Sequence, residues 1–243
     1  MNNSSYSSVF KRVEQKYLLT EEVYEALLER ISPFIEQDEY GVYTISNIYY
    51  DTQENDIIRK SIEKPRYKEK LRLRSYGVPD YESTVFLEIK KKYNGTVFKR
   101  REAMRLYEVE GFLKTGTSPK AMSQIFKELD YFVCFYNPIP KLYLAYDREA
   151  YSAIDNRSLR ITFDKNIRSR TTDLDLSLGD YGEYLFPCDY RLMEIKASCA
   201  MPLWLVRSLS ELKIYTVSFS KYGDIYTKQI LKNQRSKLCS QVY

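Results

Sequence analysis

From Val13 onward the chain repeatedly alternates charged with apolar residues, and this period of two limits its fold more than any other feature. In KLRLRSYG, one phase holds Lys70, Arg72 and Arg74 and the other holds Leu71, Leu73 and Ser75. In FLEIKKK, Glu88, Lys90 and Lys92 oppose Leu87, Ile89 and Lys91. Lys99 with Arg101, Tyr146 with Arg148, Arg160 with Thr162 and Asp164, and Glu194 with Lys196 continue the pattern. Side chains two apart share one face of a strand, so much of the chain is expected to form a sheet with one charged face.

Turn signals separate these strands, at Gly77-Val78-Pro79-Asp80 and at Asn94-Gly95, the latter marking a hairpin. Helices are expected after Thr20, whose hydroxyl caps EEVYEALLERISPF, and from Ser118 and Pro119 through SPKAMSQIFKELDYFV. A further helix opens at Pro202 in PLWLVRSLSEL, and another ends TVSFSKYGDIYTKQILKN. The strand order reads as an antiparallel meander rather than repeated βαβ units. One domain over 10–232 is expected, with a frayed tail at 1–9 and another at 233–243.

The alternation leaves open which phase is buried. Antiparallel sheets often have one wet face, which would turn the cations to water. Two features favour the inverse. The charged positions are mostly Arg and Lys rather than a mixture of polar types, and the amphipathic helices can cover the apolar phase. The fold expected is therefore α+β: an antiparallel β-barrel whose apolar face packs outward under helices and whose lumen is lined by cations. Desolvating each unpaired cation costs several kcal/mol, so such a lumen must hold a polyanion, balanced by a few carboxylates.

Composition narrows the chemistry. The chain has no histidine, which excludes Ser-His-Asp and Cys-His catalysis and every His-containing metal site. Its 38 Lys and Arg against 33 Asp and Glu give a net charge of +5, compatible with an anionic partner. Cys134, Cys188, Cys199 and Cys239 lack CxxC spacing and read as free thiols in a reducing compartment. The N-terminus has no apolar signal region and no stretch matches a membrane span, so a cytoplasmic protein is expected, with a membrane-protein partner left open. Phosphate chains suit the cations, since Arg offers a planar fork and Lys a compact charge. Glu14, Glu88 and Glu194 are hard oxygen ligands suited to Mg²⁺ or Mn²⁺ bridging phosphates. No Walker A sequence is present, so a nucleotide would be held by side chains.

In order, RVEQKYLL, SNIYYDT, KLRLRSYG, FLEIKKK, FKRREAM, YDREAY, LRITFD, LMEIKAS and FSKYG resemble the vacuolar transporter chaperone (VTC) domain. That domain is the polyphosphate polymerase branch of the CYTH-like triphosphate tunnel metalloenzymes. The resemblance runs from about Phe10 to Tyr226 and implies an eight-stranded antiparallel tunnel flanked by helices. It places phosphate-binding cations at Lys16, Arg72, Arg74, Lys90, Lys99, Arg148, Arg160 and Lys221, and the metal-binding glutamate at Glu194. Lys196 follows in the same phase and is expected to face the lumen too. Two positions depart from the pattern: Arg12 stands where many tunnel triphosphatases begin E-x-E-x-K, and Ser218 replaces a family lysine. No inositol-phosphate-sensing SPX domain or membrane segment is recognised, so a free-standing version is expected.

The resemblance implies transfer of the γ-phosphoryl group of ATP to a growing inorganic polyphosphate chain, with Arg72, Arg74 and Arg148 clamping the transferred group and Lys90 assisting. Lys16, Lys99, Arg160, Lys196 and Lys221 then bind substrate, and Mn²⁺ or Mg²⁺ is the cofactor. Two alternatives stand beside it: a triphosphatase acting on inorganic or nucleoside triphosphates, and a polyphosphate-binding module without turnover. A nucleic-acid partner is not expected, because the 24 tyrosines form no RNA-binding signature. Oligomeric state is not legible. Lys91, Lys92 and Arg100 read as solvated hairpin ends, Tyr49 and Tyr50 as packing, and Trp204 as a helix anchor. Asp51 reads equally as an orienter of a cation or as a turn cap.

Overall fold

The computed structural model describes residues 13–115, 123–198 and 200–230. The two expected tails, Arg12, Ser118, Pro119, Cys199 and Cys239 lie outside them. In chain order the elements are β1 (Val13–Thr20), α1 (Glu21–Ile31), β2 (Ile35–Asp51), α2 (Asp56–Ile62), β3 (Tyr67–Tyr76), β4 (Thr84–Tyr93) and β5 (Thr96–Arg105). There follow α3 (Leu106–Thr115), α4 (Gln124–Tyr136), β6 (Ile139–Ala153), β7 (Arg160–Arg170), β8 (Glu183–Tyr184), β9 (Tyr190–Ala197), α5 (Leu203–Glu211) and α6 (Lys221–Ile225). Cys134 and Cys188 are free thiols. No helix among the described residues is long and apolar enough to cross a membrane.

The strands form one nine-stranded sheet in the order β1-β9-β7-β6-β2-β3-β4-β5, with β8 pairing β7 off this path. This corrects the expected eight-stranded closed barrel, because the order is an open path that ends at β1 and β5. The outer edge of β1 is taken instead by a passing segment: Tyr17 bridges to Thr216, and Val217 N donates to Lys16 O at 2.7 Å. Alternation reveals which residues share a face, but closure depends on tilt and stagger summed over the whole sheet.

The described chain divides into two compact units, each with its own apolar cluster. The first comprises 13–42, 148–165 and 188–218. There the apolar phase of β1, β7 and β9, including Tyr17, Leu19, Ile161, Phe163, Met193 and Ile195, clusters with α1 and α5 through Tyr24, Leu27, Ile31 and Leu205. The N-terminus of α1 is capped as expected, Thr20 Oγ1 accepting from Val23 N, with Glu21 and Glu22 in the first turn. Trp204 on α5 stacks on Phe34 at 4.9 Å, an anchor as read from the sequence.

The second unit comprises 43–147, 166–187 and 219–230. Its hairpin between β4 and β5 turns at Asn94 and Gly95, both at positive φ as a tight hairpin turn requires. Leu71, Leu73, Val85, Leu87 and Ile89 are at most 2% exposed and cluster with Val109 and Phe112 of α3 and with Phe126, Leu129 and Phe132 of α4. Leucine faces helix and arginine faces away, which is the inverted reading of KLRLRSYG. Both helices sit on one side of β3, β4 and β5, so the opposite side of these strands is left to its charges.

Truncating a leucine in this layer removes its transfer free energy and leaves a cavity. Leu73→Ala should therefore lower unfolding free energy by about 2–5 kcal/mol in urea denaturation. Arg100→Ala, with the Arg100 side chain half exposed on the helix side of the sheet, should change it by less than about 1 kcal/mol.

Candidate functional site

In the second unit, register alone assembles a cationic face. β3 pairs with β4 so that Lys70 faces Lys90 and Arg72 faces Glu88, and β4 pairs with β5 so that Lys90 faces Lys99 and Glu88 faces Arg101. Partners opposed in an antiparallel pair share a face, which gives one row Lys70–Lys90–Lys99 beside another, Arg72–Glu88–Arg101. Like charges placed directly opposite one another are destabilising, so a row of three lysines is a poor choice for stability alone.

Glu88 is the hub of this face and is 1% exposed. Its Oε2 accepts from Arg72 Nε at 2.7 Å and lies 3.9 Å from Arg74 Nε, while Oε1 lies 2.6 Å from Lys99 Nζ. Burial pushes its pKa up, but the charges of Arg72, Arg74 and Lys99 outweigh burial and hold the carboxyl at about 2. One carboxylate thus serves three cations, and the face stays electropositive.

Neutral side chains fix the arginines. Arg74 Nε donates to Asn47 Oδ1 at 3.0 Å and Arg74 Nη2 to Tyr146 OH at 3.3 Å, and Asn47 is itself held by Leu144 O. Arg72 Nη1 donates to Tyr49 OH at 3.3 Å. Burial opposes ionisation of that phenol, yet the Arg72 charge and hydrogen bond, with the Lys70 charge, bring its pKa below the usual value. Tyr49 stacks on Tyr222 of α6 at 4.8 Å, and Tyr222 OH donates to Asp51 Oδ2. Lys221 Nζ lies 4.5 Å over the Tyr146 ring, and Lys70 Nζ donates to Ser220 Oγ.

The first unit carries a second charged face. Register aligns Lys16, Glu194 and Thr162 across β1, β9 and β7, and Glu14, Lys196 and Arg160 in the next row. Lys16 Nζ lies 3.7 Å from both Glu14 and Glu194, and Lys196 Nζ lies 2.5 Å from Glu194. Arg148 makes a two-pronged pair with Asp164, which is fully buried: Nε to Oδ1 at 2.7 Å and Nη2 to Oδ2 at 2.9 Å. Arg160 is exposed and lies 3.5 Å from Asp38.

Of the residues singled out from the sequence, Arg72, Arg74, Glu88, Lys90, Lys99 and Lys221 thus belong to the second unit, and Glu14, Lys16, Arg148, Arg160, Glu194 and Lys196 to the first. Among the described residues no three Asp, Glu or Cys side chains converge as a metal cage. Glu88, expected as a metal ligand, is the counter-ion of three cations, whereas Glu14 and Glu194 share one face and one ammonium. A pair of carboxylates fits Mg²⁺ or Mn²⁺ held jointly with phosphate oxygens and water, the donor set Mg²⁺ prefers over an all-protein cage. Lys91 and Arg100 are not plain solvated ends, since both reach Glu128 on the helix side. Asp51 is a cap: it accepts from the backbone N of Thr52, Ile57 and Ile58 at the start of α2. Sequence reasoning passed over Asn47, Tyr49 and Tyr146 as site residues. Their one signal was phase, because Asn47 and Tyr49 alternate with the buried Ile48 and Tyr50.

The model of the VTC domain matches residues 11–228. Among solved structures, the "putative adenylate cyclase" of Bacillus halodurans superposes with a TM-score of 0.53 at 14% identity, covering 86% of this chain and 93% of its own. A protein of like designation from Hippeastrum, described as having a dominant triphosphatase activity, superposes with a TM-score of 0.52 at 16% identity over 89% of this chain and 95% of its own. At such identities the likeness is one of fold. No curated protein matches the sequence.

The Glu88 cluster predicts an acid-side stability loss. Its carboxyl titrates at about 2 when folded and near the ordinary 4.5 when unfolded, so the unfolded chain takes the proton first. The stabilisation, on the order of 3 kcal/mol, is whole above about pH 5 and is lost as pH falls through about 4.5 towards about 2. Thermal melts across that range should show Glu88→Gln less stable than the wild type at neutral pH and with a flatter acid slope. Identical slopes would show that Glu88 does not carry the effect.

Proposed function

Because the chain belongs to the VTC domain family, we propose that the cationic face of β3, β4 and β5 binds the phosphate chain of a triphosphate and supports cleavage of its terminal phosphoanhydride bond. The family lies within the CYTH-like triphosphate tunnel metalloenzymes, a superfamily of enzymes acting on triphosphate substrates, and the shared fold agrees with that placement. The observation that carries the reading is the lysine row Lys70–Lys90–Lys99 beside Arg72 and Arg74, with Arg72, Arg74 and Lys99 sharing the single carboxylate of Glu88. Such a face offers a phosphate chain several cations side by side.

Phosphoryl transfer passes through a loose transition state with charge spread over the equatorial oxygens, so positioning and charge neutralisation do most of the work. Arg72 and Arg74 are oriented before substrate arrives by Glu88, Asn47, Tyr49 and Tyr146, and preorganised donors need no rearrangement during the reaction. Lys90, Lys99 and Lys221 add compact positive charge along the bound chain. The first unit has phosphate-binding cations of its own in Lys16, Arg148, Arg160 and Lys196, beside which Glu14 and Glu194 would hold Mg²⁺ or Mn²⁺. Such an ion, when bound, neutralises phosphate oxygens.

Two acceptors are consistent with this face. Water as acceptor makes the protein a triphosphatase: it attacks the terminal phosphorus, the bond to the leaving phosphate oxygen breaks, and a proton passes to solvent. The likeness to the Hippeastrum protein and the pairing of Glu14 with Glu194 support this reading. The end of a polyphosphate chain as acceptor makes it a polymerase that converts ATP to ADP; the VTC match supports this one. A phosphate end is already anionic, so this transfer needs no general base, which suits a chain without histidine.

Purified protein with Mn²⁺ should release orthophosphate from tripolyphosphate, or else form polymer from ATP visible on a gel. Whichever product forms identifies the acceptor, and neither product under Mn²⁺ or Mg²⁺ rejects the proposal. Arg72→Ala should lower kcat/KM by about 100-fold or more. Lys91→Ala, on the helix side of the same sheet, should leave it unchanged.

A further inference from the structure

One polar group on the charged face of the first unit has no counterpart. Thr162 on β7 is 2% exposed, and its Oγ1 has no hydrogen-bond partner among the described residues. Burying a hydroxyl in this way costs roughly 1–3 kcal/mol, whereas valine at the same place would have the same shape and no such cost. A threonine kept there on stability grounds alone is a poor choice.

Its surroundings are chemically specific. Thr162 is registered opposite Glu194, and Glu194 opposite Lys16, so the three form one row on one face. Opposed residues of an antiparallel pair have Cβ atoms about 4.5–5.5 Å apart, within reach of one shared ligand. Glu14 lies on the same face of β1 and is linked to Glu194 through Lys16 Nζ, 3.7 Å from each.

We propose that Thr162 Oγ1 is a third oxygen ligand, with the carboxylates of Glu14 and Glu194, for a divalent cation of the Mg²⁺ and Mn²⁺ class. The proposal rests on the reading that those two carboxylates hold such an ion. A hydroxyl beside carboxylates, with phosphate oxygens and water completing the shell, is the donor set by which nucleotide-binding loops hold Mg²⁺. Lys16 and Lys196, now against the carboxylates, would turn to the phosphate oxygens of a bound substrate.

The test is Mn²⁺ binding to the full chain without substrate, by calorimetry and by loss of the free-ion EPR signal, for wild type, Thr162→Val and Thr162→Ser. Thr162→Val should bind Mn²⁺ at least about tenfold more weakly, and Thr162→Ser within about threefold of wild type. Thr162→Val should also be as stable as wild type or more so, because the orphan hydroxyl is gone. Equal Mn²⁺ affinity in wild type and Thr162→Val overturns the role of the hydroxyl and leaves the carboxylate pair standing. Absence of Mn²⁺ binding by wild type overturns both. A Thr162→Val protein less stable than wild type shows the hydroxyl already in use within the fold, which also overturns the proposal.

Discussion

A single buried carboxylate holds three cations together on one face of the sheet. Without Glu88, the cations Arg72 and Arg74 of β3 and Lys99 of β5 would meet across β4 as like charges, each stripped of part of its water. With it they are fixed, and the surplus of positive charge remains. The first unit solves the same problem pair by pair, with Asp164 gripping Arg148 and with Glu14 and Glu194 sharing Lys16. Each arrangement neutralises enough charge for the strands to form and leaves enough for an anion.

The apolar phase makes that arrangement affordable. In each unit the helices cover one side of the strands, so the hydrophobic contacts that stabilise the fold lie on the side away from the charges. Burial on the helix side is insensitive to what the other side carries, provided the alternation stays in register; a slip of one residue would place arginines under α3 and α4. The strict period of two is therefore a requirement of both stability and binding.

Much of this was legible. The alternation identified the strands, Thr20 and Pro202 marked helix starts, Asn94-Gly95 marked the hairpin, and the scarcity of acid in the charged phase pointed to an anion. Other features lay beyond its reach. The helix α2 has only seven residues and depends on Asp51, a cap from the preceding strand. The helix α3 shows apolar spacing at Val109, Phe112 and Leu113, but Gly111 interrupts it and the preceding strand runs straight into it. The partners of Tyr49 and Glu88 were not legible for one reason: a side chain's partners across a sheet come from register, which links residues such as Tyr49, Arg72 and Glu88 far apart in the chain.

By itself the sequence determined which residues share a face, that this face is cationic, and that histidine chemistry is excluded, because period and composition are local or additive properties. Only the tertiary structure decided that the sheet stays open, that Glu88 is the counter-ion of Arg72, Arg74 and Lys99, and that Thr162, opposite Glu194, is buried with no hydrogen-bond partner among the described residues. Those outcomes depend on which strands become neighbours and on which atoms lose their water when they do, and no single strand carries that information.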